Sequence, residues 1–189
     1  MQRTTVLNTT TRDKMVNALK RVVNQAVNKD GAADAYLCRL QLPKQFSNDI
    51  KESNDIYKKI QSDFCKNVMR STGSTPRYVA VKTENSDNPE YAFCLFTKHD
   101  ASLDKPEEYA EKGREIANGK VGQAGWGHGK LDVVEMIMDS PKFMIASNSV
   151  QITQDNKASV VEQLQRHLQG QSQSTQAHQR TLFVSKTRQ

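Results

Sequence analysis

The chain has 189 residues, a mean hydropathy of −0.73 and 25% charged residues. These values are typical of one soluble globular domain with polar extensions, and they exclude two full-sized domains. No stretch approaches the roughly 20 apolar residues that span a bilayer, and residues 1–14 lack the apolar run of a signal peptide. We therefore expect a cytoplasmic protein that does not associate with membranes.

The net charge of +6 is concentrated at the two ends of the chain. Residues 1–30 hold six basic and two acidic side chains, and residues 151–189 hold five basic and two acidic ones, whereas residues 31–150 are nearly neutral. Basic flanks favour a polyanionic partner, because each phosphate that a cation neutralises releases counterions. A protein whose ends are merely basic would have the same charge, so charge alone leaves both interpretations open.

The cysteines and histidines predict no metal site and no cofactor. Cys38, Cys65 and Cys94 are odd in number, widely spaced and flanked by apolar residues, so we interpret them as reduced core residues. The four histidines have no ligand spacing. We expect neither a structural zinc site nor a disulfide.

The first part of the chain predicts a helix, a strand and a second helix. Apolar residues recur every three or four positions over 10–29, which is typical of an amphipathic helix. The alternating run AYLCRLQLP predicts a half-buried strand that ends at Pro43. Ser47 or Asn48 is suited to cap the second helix, which extends to about Ser71 before the break at Gly73.

The middle of the chain predicts two strands, a helix and a loop. Residues 77–82 form one strand, and the nearly continuous apolar run 91–96 forms another, which we expect at the centre of a sheet. Asp104, as a capping carboxylate before a proline, begins a helix that ends at Gly119. The glycine-rich residues 122–129 predict a flexible loop, and residues 142–147 are apolar enough to pack.

The order of these elements predicts an α+β fold, with helices over one face of a small, mainly antiparallel sheet. We assign residues 1–147 to this domain and residues 148–189 to a Gln- and Ser-rich extension. The extension contains one short helix over 157–169, and its remaining polar residues favour disorder. Within it, Leu182, Phe183 and Val184 form an apolar tripeptide that would dock either on a partner or on the domain.

Two local features suggest chemistry, and each has a simpler structural interpretation. Trp126, flanked by glycines, is able to stack on a base, or it anchors its segment to the core. Tyr109 and Lys112 are spaced so that a phenol and an ammonium share one face of a helix, as in tyrosine nucleases. The alternative is a tyrosine that packs its ring on the sheet.

The order of segments in this chain resembles the inovirus-type replication protein family, also known for the YagK/YfjJ domain. The segments that carry the resemblance are AYLCRLQLP, a helix ending in KNVMRS, the strand PRYVAVKTEN, and DNPEYAFCLFTKHD. That family is similar to the rolling-circle initiators called HUH endonucleases, which occur in filamentous phages, prophages and satellites. The similarity covers residues 12–140. It implies a phage or mobile-element protein, in the cytoplasm of a bacterial host, on a replication-initiator fold.

The chain departs from the metal-binding pattern that this resemblance implies. Where the family has His-Tyr-His on a strand, this sequence has Glu90, Tyr91 and Ala92. Alanine coordinates nothing, so the divalent ion that polarises the scissile phosphate would lack its ligands. The resemblance therefore implies a degenerate initiator without nuclease activity. An active tyrosine nickase, using Tyr109, Lys112 and a metal site rebuilt around Glu90, is the second alternative.

We therefore expect a non-catalytic protein that binds DNA, single-stranded or hairpin, in a replication or regulatory role. The first alternative is a virus- or satellite-encoded protein that binds a host or phage protein through Leu182, Phe183 and Val184; self-association is also left open. The DNA contacts would come from the basic residues of the flanks and the sheet face together with the tryptophan, namely Arg12, Lys14, Lys20, Arg21, Arg77, Lys82, Lys120, Trp126 and Lys130.

Overall fold

The computed structural model describes residues 3–83, 87–128, 139–169 and 182–185, with the backbone alone for 3–11, 83 and 125–128. No helix in these ranges is long and apolar enough to span a bilayer. In chain order the elements are α1 (Arg3–Asp30), β1 (Ala33–Gln41), α2 (Ile50–Thr72), β2 (Arg77–Thr83), β3 (Glu90–Lys98), α3 (Pro106–His128), β4 (Lys142–Ile145), β5 (Val150–Ile152), α4 (Lys157–Gln169) and β6 (Leu182–Val184).

The six strands form one antiparallel sheet in the order β4-β1-β3-β2-β6, and β5 continues the edge along β1. β1 and β2 run in the same direction with β3 between them, and α2 connects them. The succession β1-α2-β2-β3-α3-β4 therefore has the connectivity of a split βαβ, or ferredoxin-like, sheet. The α+β class, the mainly antiparallel sheet and the central position of β3 are confirmed.

Helices cover both faces of the sheet, so the expectation of helices on one face was wrong. α2 and α3 enclose one core with Tyr36, Phe93 and Leu95, whereas α1 and α4 enclose the other with Val79 and Phe96. The strands explain the difference. Successive side chains of a strand point to opposite faces of the sheet. A strand with apolar residues at both odd and even positions must therefore be covered on both sides.

The ends of α2 follow ordinary capping rules. Asp49, rather than Ser47 or Asn48, is the N-cap, because its carboxylate accepts a hydrogen bond from the Glu52 amide at 3.0 Å. Gly73 ends the helix with φ of 69°, and its amide donates to the Met69 carbonyl at 2.8 Å. α2 thus begins one or two residues later than expected and ends where expected.

α3 begins at Pro106, where the sequence predicted its start, but it ends later than expected. It does not end at Gly119 but continues to His128 through the glycine-rich residues, and Ala117 and Val121 are buried on its inner side. Burial of this side offsets the roughly 1 kcal/mol that each glycine costs in a helix. Asp104 accepts hydrogen bonds from the hydroxyls of Tyr36, at 3.1 Å, and Ser149, at 2.9 Å. It therefore ties β1 to the segment before β5.

The C-terminal part of the chain contributes to the same sheet and core. The helix expected over 157–169 is present as α4, and its Leu164 and Leu168 are fully buried. β5, which no sequence pattern indicated, pairs with β1 from Ala33 to Ala35. β6 pairs with β2 at the other edge of the sheet.

His167 on α4 predicts a pH dependence of stability. Burial, and then the nearby charge of Arg39, lower the pKa of His167 although its Nε2–H donates to the Cys38 carbonyl at 3.0 Å. The unfolded chain takes up this proton near pH 6.5, whereas the folded chain does so only at lower pH. The free energy of unfolding should therefore decrease as the pH falls below about 6.5.

This dependence is measured by urea unfolding between pH 7.5 and 5. His167→Gln keeps an N–H donor but does not titrate, so its curve should be flatter than that of the wild type over this range. Other titrating groups contribute equally to both proteins, and an identical pH dependence in the variant would contradict the assignment.

Candidate nucleic-acid interface

α1 is amphipathic, and its two sides differ sharply. The inner side packs on the sheet and on α4 through a continuous apolar row that includes Leu19, Val22 and Val23, all at most 1% exposed. The outer side carries polar and basic residues, together with one exposed carboxylate, Asp13, and faces solvent. The apolar row therefore anchors the helix on the domain, and its polar side is exposed to solvent.

The outer side of α1 presents a set of side chains that we call the basic face: Lys14, Asn17, Lys20, Arg21 and Asn24. All five are exposed, and their spacing of one, three and four residues places them on one side of the helix. Lysine and arginine contact phosphates, and arginine and asparagine also form paired hydrogen bonds with base edges. The composition of this face therefore matches what a nucleic-acid duplex presents.

The cations of the basic face have no acidic partner among the residues that the structure describes. Among the described residues, no carboxylate forms an ion pair with Lys14, Lys20 or Arg21. On the opposite face of the sheet, α2 and α3 neutralise many of their cations. The ion pairs there join Lys58 to Asp55, Lys66 and Lys120 to Asp63, and Lys112 to Glu115.

The local charge balance has the same asymmetry. Over residues 12–30, α1 holds five basic and two acidic side chains, whereas α3 holds three basic and four acidic ones. An excess of unpaired cations on one helix produces a positive potential on that side of the protein. α2, with five basic and three acidic side chains, has a smaller excess of cations than α1.

A groove of about 470 Å³ lies between α1 and α4 beside the basic face. Val16, Val23 and Val161 line it with apolar surface, and Lys20, Lys157 and Glu162 also border it. Arg12 connects the two helices at this groove. With the Gln165 amide oriented so that its oxygen faces Arg12, that oxygen accepts from two N–H groups of the guanidinium, each at 3.3 Å. This groove adds apolar contact surface to the cations of α1.

The structure does not place every expected DNA-binding residue on this face. Arg77 begins β2, on the sheet face that α1 covers, and is half-buried. Lys82 is only 4% exposed and donates to Ser53 Oγ at 2.9 Å, so burial argues against a phosphate contact. Lys120 lies on the opposite side of the sheet, 2.8 Å from Asp63.

Two further expected residues are outside what the structure describes. Trp126 lies in the last turns of α3, where the backbone alone is described, and Lys130 lies outside the described residues. Their predicted contacts with DNA stay predictions. Arg12, Lys14, Lys20 and Arg21, in contrast, all lie on one helix and are exposed.

Of the three residues of the nickase alternative, the structure brings Tyr109 and Lys112 to one pocket on α3 and leaves Glu90 apart from them. The Tyr109 ring packs edge-on against Tyr36 at the α2–α3 face, and its hydroxyl donates to the Leu103 carbonyl at 3.1 Å. Glu90 lies at the far end of β3 on the other sheet face, 3.0 Å from Arg39.

The surroundings of Tyr109 also oppose its use as a nucleophile. Burial, and then the charges of Glu108 and Asp104, raise the pKa of Tyr109, which disfavours the phenolate. Lys112 pairs with Glu115 at 2.6 Å. The simpler interpretation of Tyr109, a ring packed on the sheet, is what the structure contains.

Sequence reasoning missed a polar cluster at the start of β1. Asp34 is 3% exposed, and its carboxylate accepts from His99 Nδ1 at 2.9 Å. The Gln151 amide nitrogen lies 3.1 Å from His99 Nε2, so the imidazole links β1 to β5. An acidic residue inside the apolar run ADAYLC was the one sequence feature that pointed to a buried, paired carboxylate.

A second missed cluster lies beneath the beginning of α2. The Ser53 hydroxyl accepts from Lys82 Nζ and from the Tyr91 hydroxyl at 3.2 Å, and it donates to the Ile50 carbonyl at 3.0 Å. Tyr91 is also stacked on Tyr57, with ring centroids 4.1 Å apart. Since Ser53 is fully buried, this cluster connects α2 to the sheet and offers no open site.

Comparison with known proteins identifies no relative. No family model matches the chain, and neither the curated proteins nor the solved structures contain a significant match to it. The resemblance to inovirus-type replication proteins therefore stays a prediction, and a function has to be inferred from the geometry of the site.

Proposed function

We propose that the protein binds DNA, without catalysing a reaction on it, through the basic face of α1. The observation that carries the proposal is a set of exposed cations on one helix that form no ion pair within the described residues, whereas α2 and α3 neutralise many of theirs. Unpaired cations bind phosphate without first breaking an existing ion pair. The free energy of counterion release then favours binding.

The shape of α1 supports duplex regions as its ligand. With 28 residues it is about 42 Å long, and the major groove of B-DNA, about 12 Å wide, admits one helix. Lys14, Lys20 and Arg21 would contact phosphates, while Asn17 and Asn24 would lie towards base edges. This ligand includes the stem of a hairpin, the form expected of a replication-initiator relative.

The resemblance to inovirus-type replication proteins gives the proposal a biological setting. A degenerate initiator that retains DNA binding would act in the replication or regulation of a phage, prophage or satellite. The connectivity of the sheet is compatible with such a setting, but the proposal depends on α1 and not on the family assignment.

The proposal is tested by fluorescence anisotropy with three labelled DNAs of equal length: a single strand, a hairpin and a duplex. At 50 mM salt we expect the duplex and the hairpin stem to bind with micromolar Kd and the single strand to bind more weakly. Absence of binding to all three at this salt concentration would contradict the proposal.

Capture of a protein partner, the first alternative, depended on the apolar tripeptide of the tail. In the structure, Leu182, Phe183 and Val184 form β6 on the domain itself, with Phe183 among the aromatic rings of Tyr57 and Tyr91. These residues therefore pair within their own chain and do not by themselves point to a host or phage partner, whereas the exposed cations of α1 support DNA binding.

A further inference from the structure

β6 covers only part of the outer edge of the sheet. Its three residues pair with Val79–Val81, which is less than half of the seven-residue β2. Ser185 adds two hydrogen bonds, since its amide donates to the Tyr78 carbonyl at 3.1 Å and its hydroxyl accepts from the Tyr78 amide at 3.2 Å. All four residues of this segment remain partly exposed.

The contacts of β6 nevertheless select a particular side-chain pattern. Phe183 points to the α2–α3 face, where its ring centroid lies 5.0 Å from Tyr57 and 6.0 Å from Tyr91. Leu182 and Val184 point to the other face and pack against the α1–α4 core. The edge therefore binds an extended segment by main-chain hydrogen bonds and recognises an aromatic residue between two aliphatic ones.

The segment that carries this pattern is connected by a long stretch of sequence. Twelve residues separate the end of α4 at Gln169 from Leu182. Twelve residues reach up to about 40 Å when extended, whereas neighbouring strands lie only about 5 Å apart. The length of chain therefore suffices for the segment to reach a second molecule.

We propose that the edge of β2 is a strand-binding site that accepts the Leu182–Val184 segment of a second copy of this chain in place of its own. In such an exchanged pair each β2 edge is covered again by the same hydrogen bonds and the same aromatic contacts. The closed monomer and the exchanged dimer therefore make the same strand contacts and differ mainly in the entropy of joining two chains. This is the usual condition for strand exchange. The site is separate from the basic face of α1, and its test is independent of DNA.

The strand-binding site is tested with the full-length Phe183→Ala chain and a fluorescent peptide of residues 180–186. In the wild type the chain's own segment competes at an effective concentration in the millimolar range. The variant lacks the ring that holds its own segment, so the peptide should bind it at least tenfold more tightly than it binds the wild type. The same peptide with alanine in place of Phe183 should not bind.

A second variant guards against a loss of folding in Phe183→Ala. Ser185→Pro removes the amide that donates to the Tyr78 carbonyl without removing an aromatic ring from the core. It should keep a cooperative thermal transition and also bind the peptide more tightly than the wild type. If the peptide binds neither folded variant better than the wild type, the strand-binding site is wrong.

The identity of the occupant is tested by analytical ultracentrifugation of the full-length chains at up to several hundred micromolar. We expect a dimer fraction that increases with concentration in the wild type and is absent in Phe183→Ala. A wild type that is monomeric at every concentration, or a dimer that is equally populated in the variant, would overturn exchange between two copies.

Discussion

Replacing Lys20 and Arg21 with glutamate should weaken binding to duplex DNA by about 100-fold at 100 mM salt. Both side chains are exposed on the basic face, and neither forms an ion pair within the described residues. If α1 binds DNA as proposed, each charge reversal removes one phosphate contact and adds repulsion from the phosphates. The measurement is a competition titration with a labelled duplex.

The matched control for this variant is Lys58→Glu with Lys59→Glu on α2. It makes the same change in net charge, also on exposed basic residues, but on the opposite side of the sheet, where Lys58 is already paired with Asp55. Its affinity should fall by less than about threefold, through the change of net charge alone. Equal losses in the two double variants would show that binding follows net charge and not the basic face.

Gly113→Ala should destabilise the fold by about 2 kcal/mol, because α3 packs against β4 without room for a side chain. A Cβ at this position would lie within 2.6 Å of three atoms of the Phe143 ring. That ring cannot move easily, since it packs on Phe64 and Phe93 with centroids 4.9 and 5.8 Å away. Urea unfolding measures the loss directly.

Gly119→Ala, on the same helix, is the matched control. Nothing lies within 4 Å of a Cβ at this position, and the residue is exposed. The substitution should stabilise the protein by up to about 1 kcal/mol, because alanine is the better helix former. Effects of the same sign in the two variants would contradict the close approach of α3 and β4.

The sequence predicted most of the elements, because each left a local pattern. The apolar spacing of Met15, Leu19 and Val22 indicated α1, and the continuous apolar run of β3 indicated a central strand. β5 left no such pattern, since Val150 and Ile152 lie among polar residues in a segment that resembled a polar extension. Its pairing with β1 depends on contacts made far apart in the sequence.

The candidate site could be predicted only in part. Periodicity placed Lys14, Lys20 and Arg21 outside the apolar row of α1, and the structure leaves them exposed. Lys82 has the same charge but is buried, because its strand position points to the face covered by α2, where Ser53 accepts its hydrogen bond. Which cations pair with carboxylates depends on how the helices pack, and no local sequence pattern predicts that packing.

The salt dependence of duplex binding, compared between the wild type and Lys20→Ala with Arg21→Ala, tests most directly whether the basic face contacts phosphates. Each phosphate contact contributes about 0.9 to the magnitude of the slope of log K against log salt. We expect a wild-type slope of about −3 or steeper and a slope shallower by about 2 in the variant. Identical slopes in the two proteins would contradict the proposed role of α1.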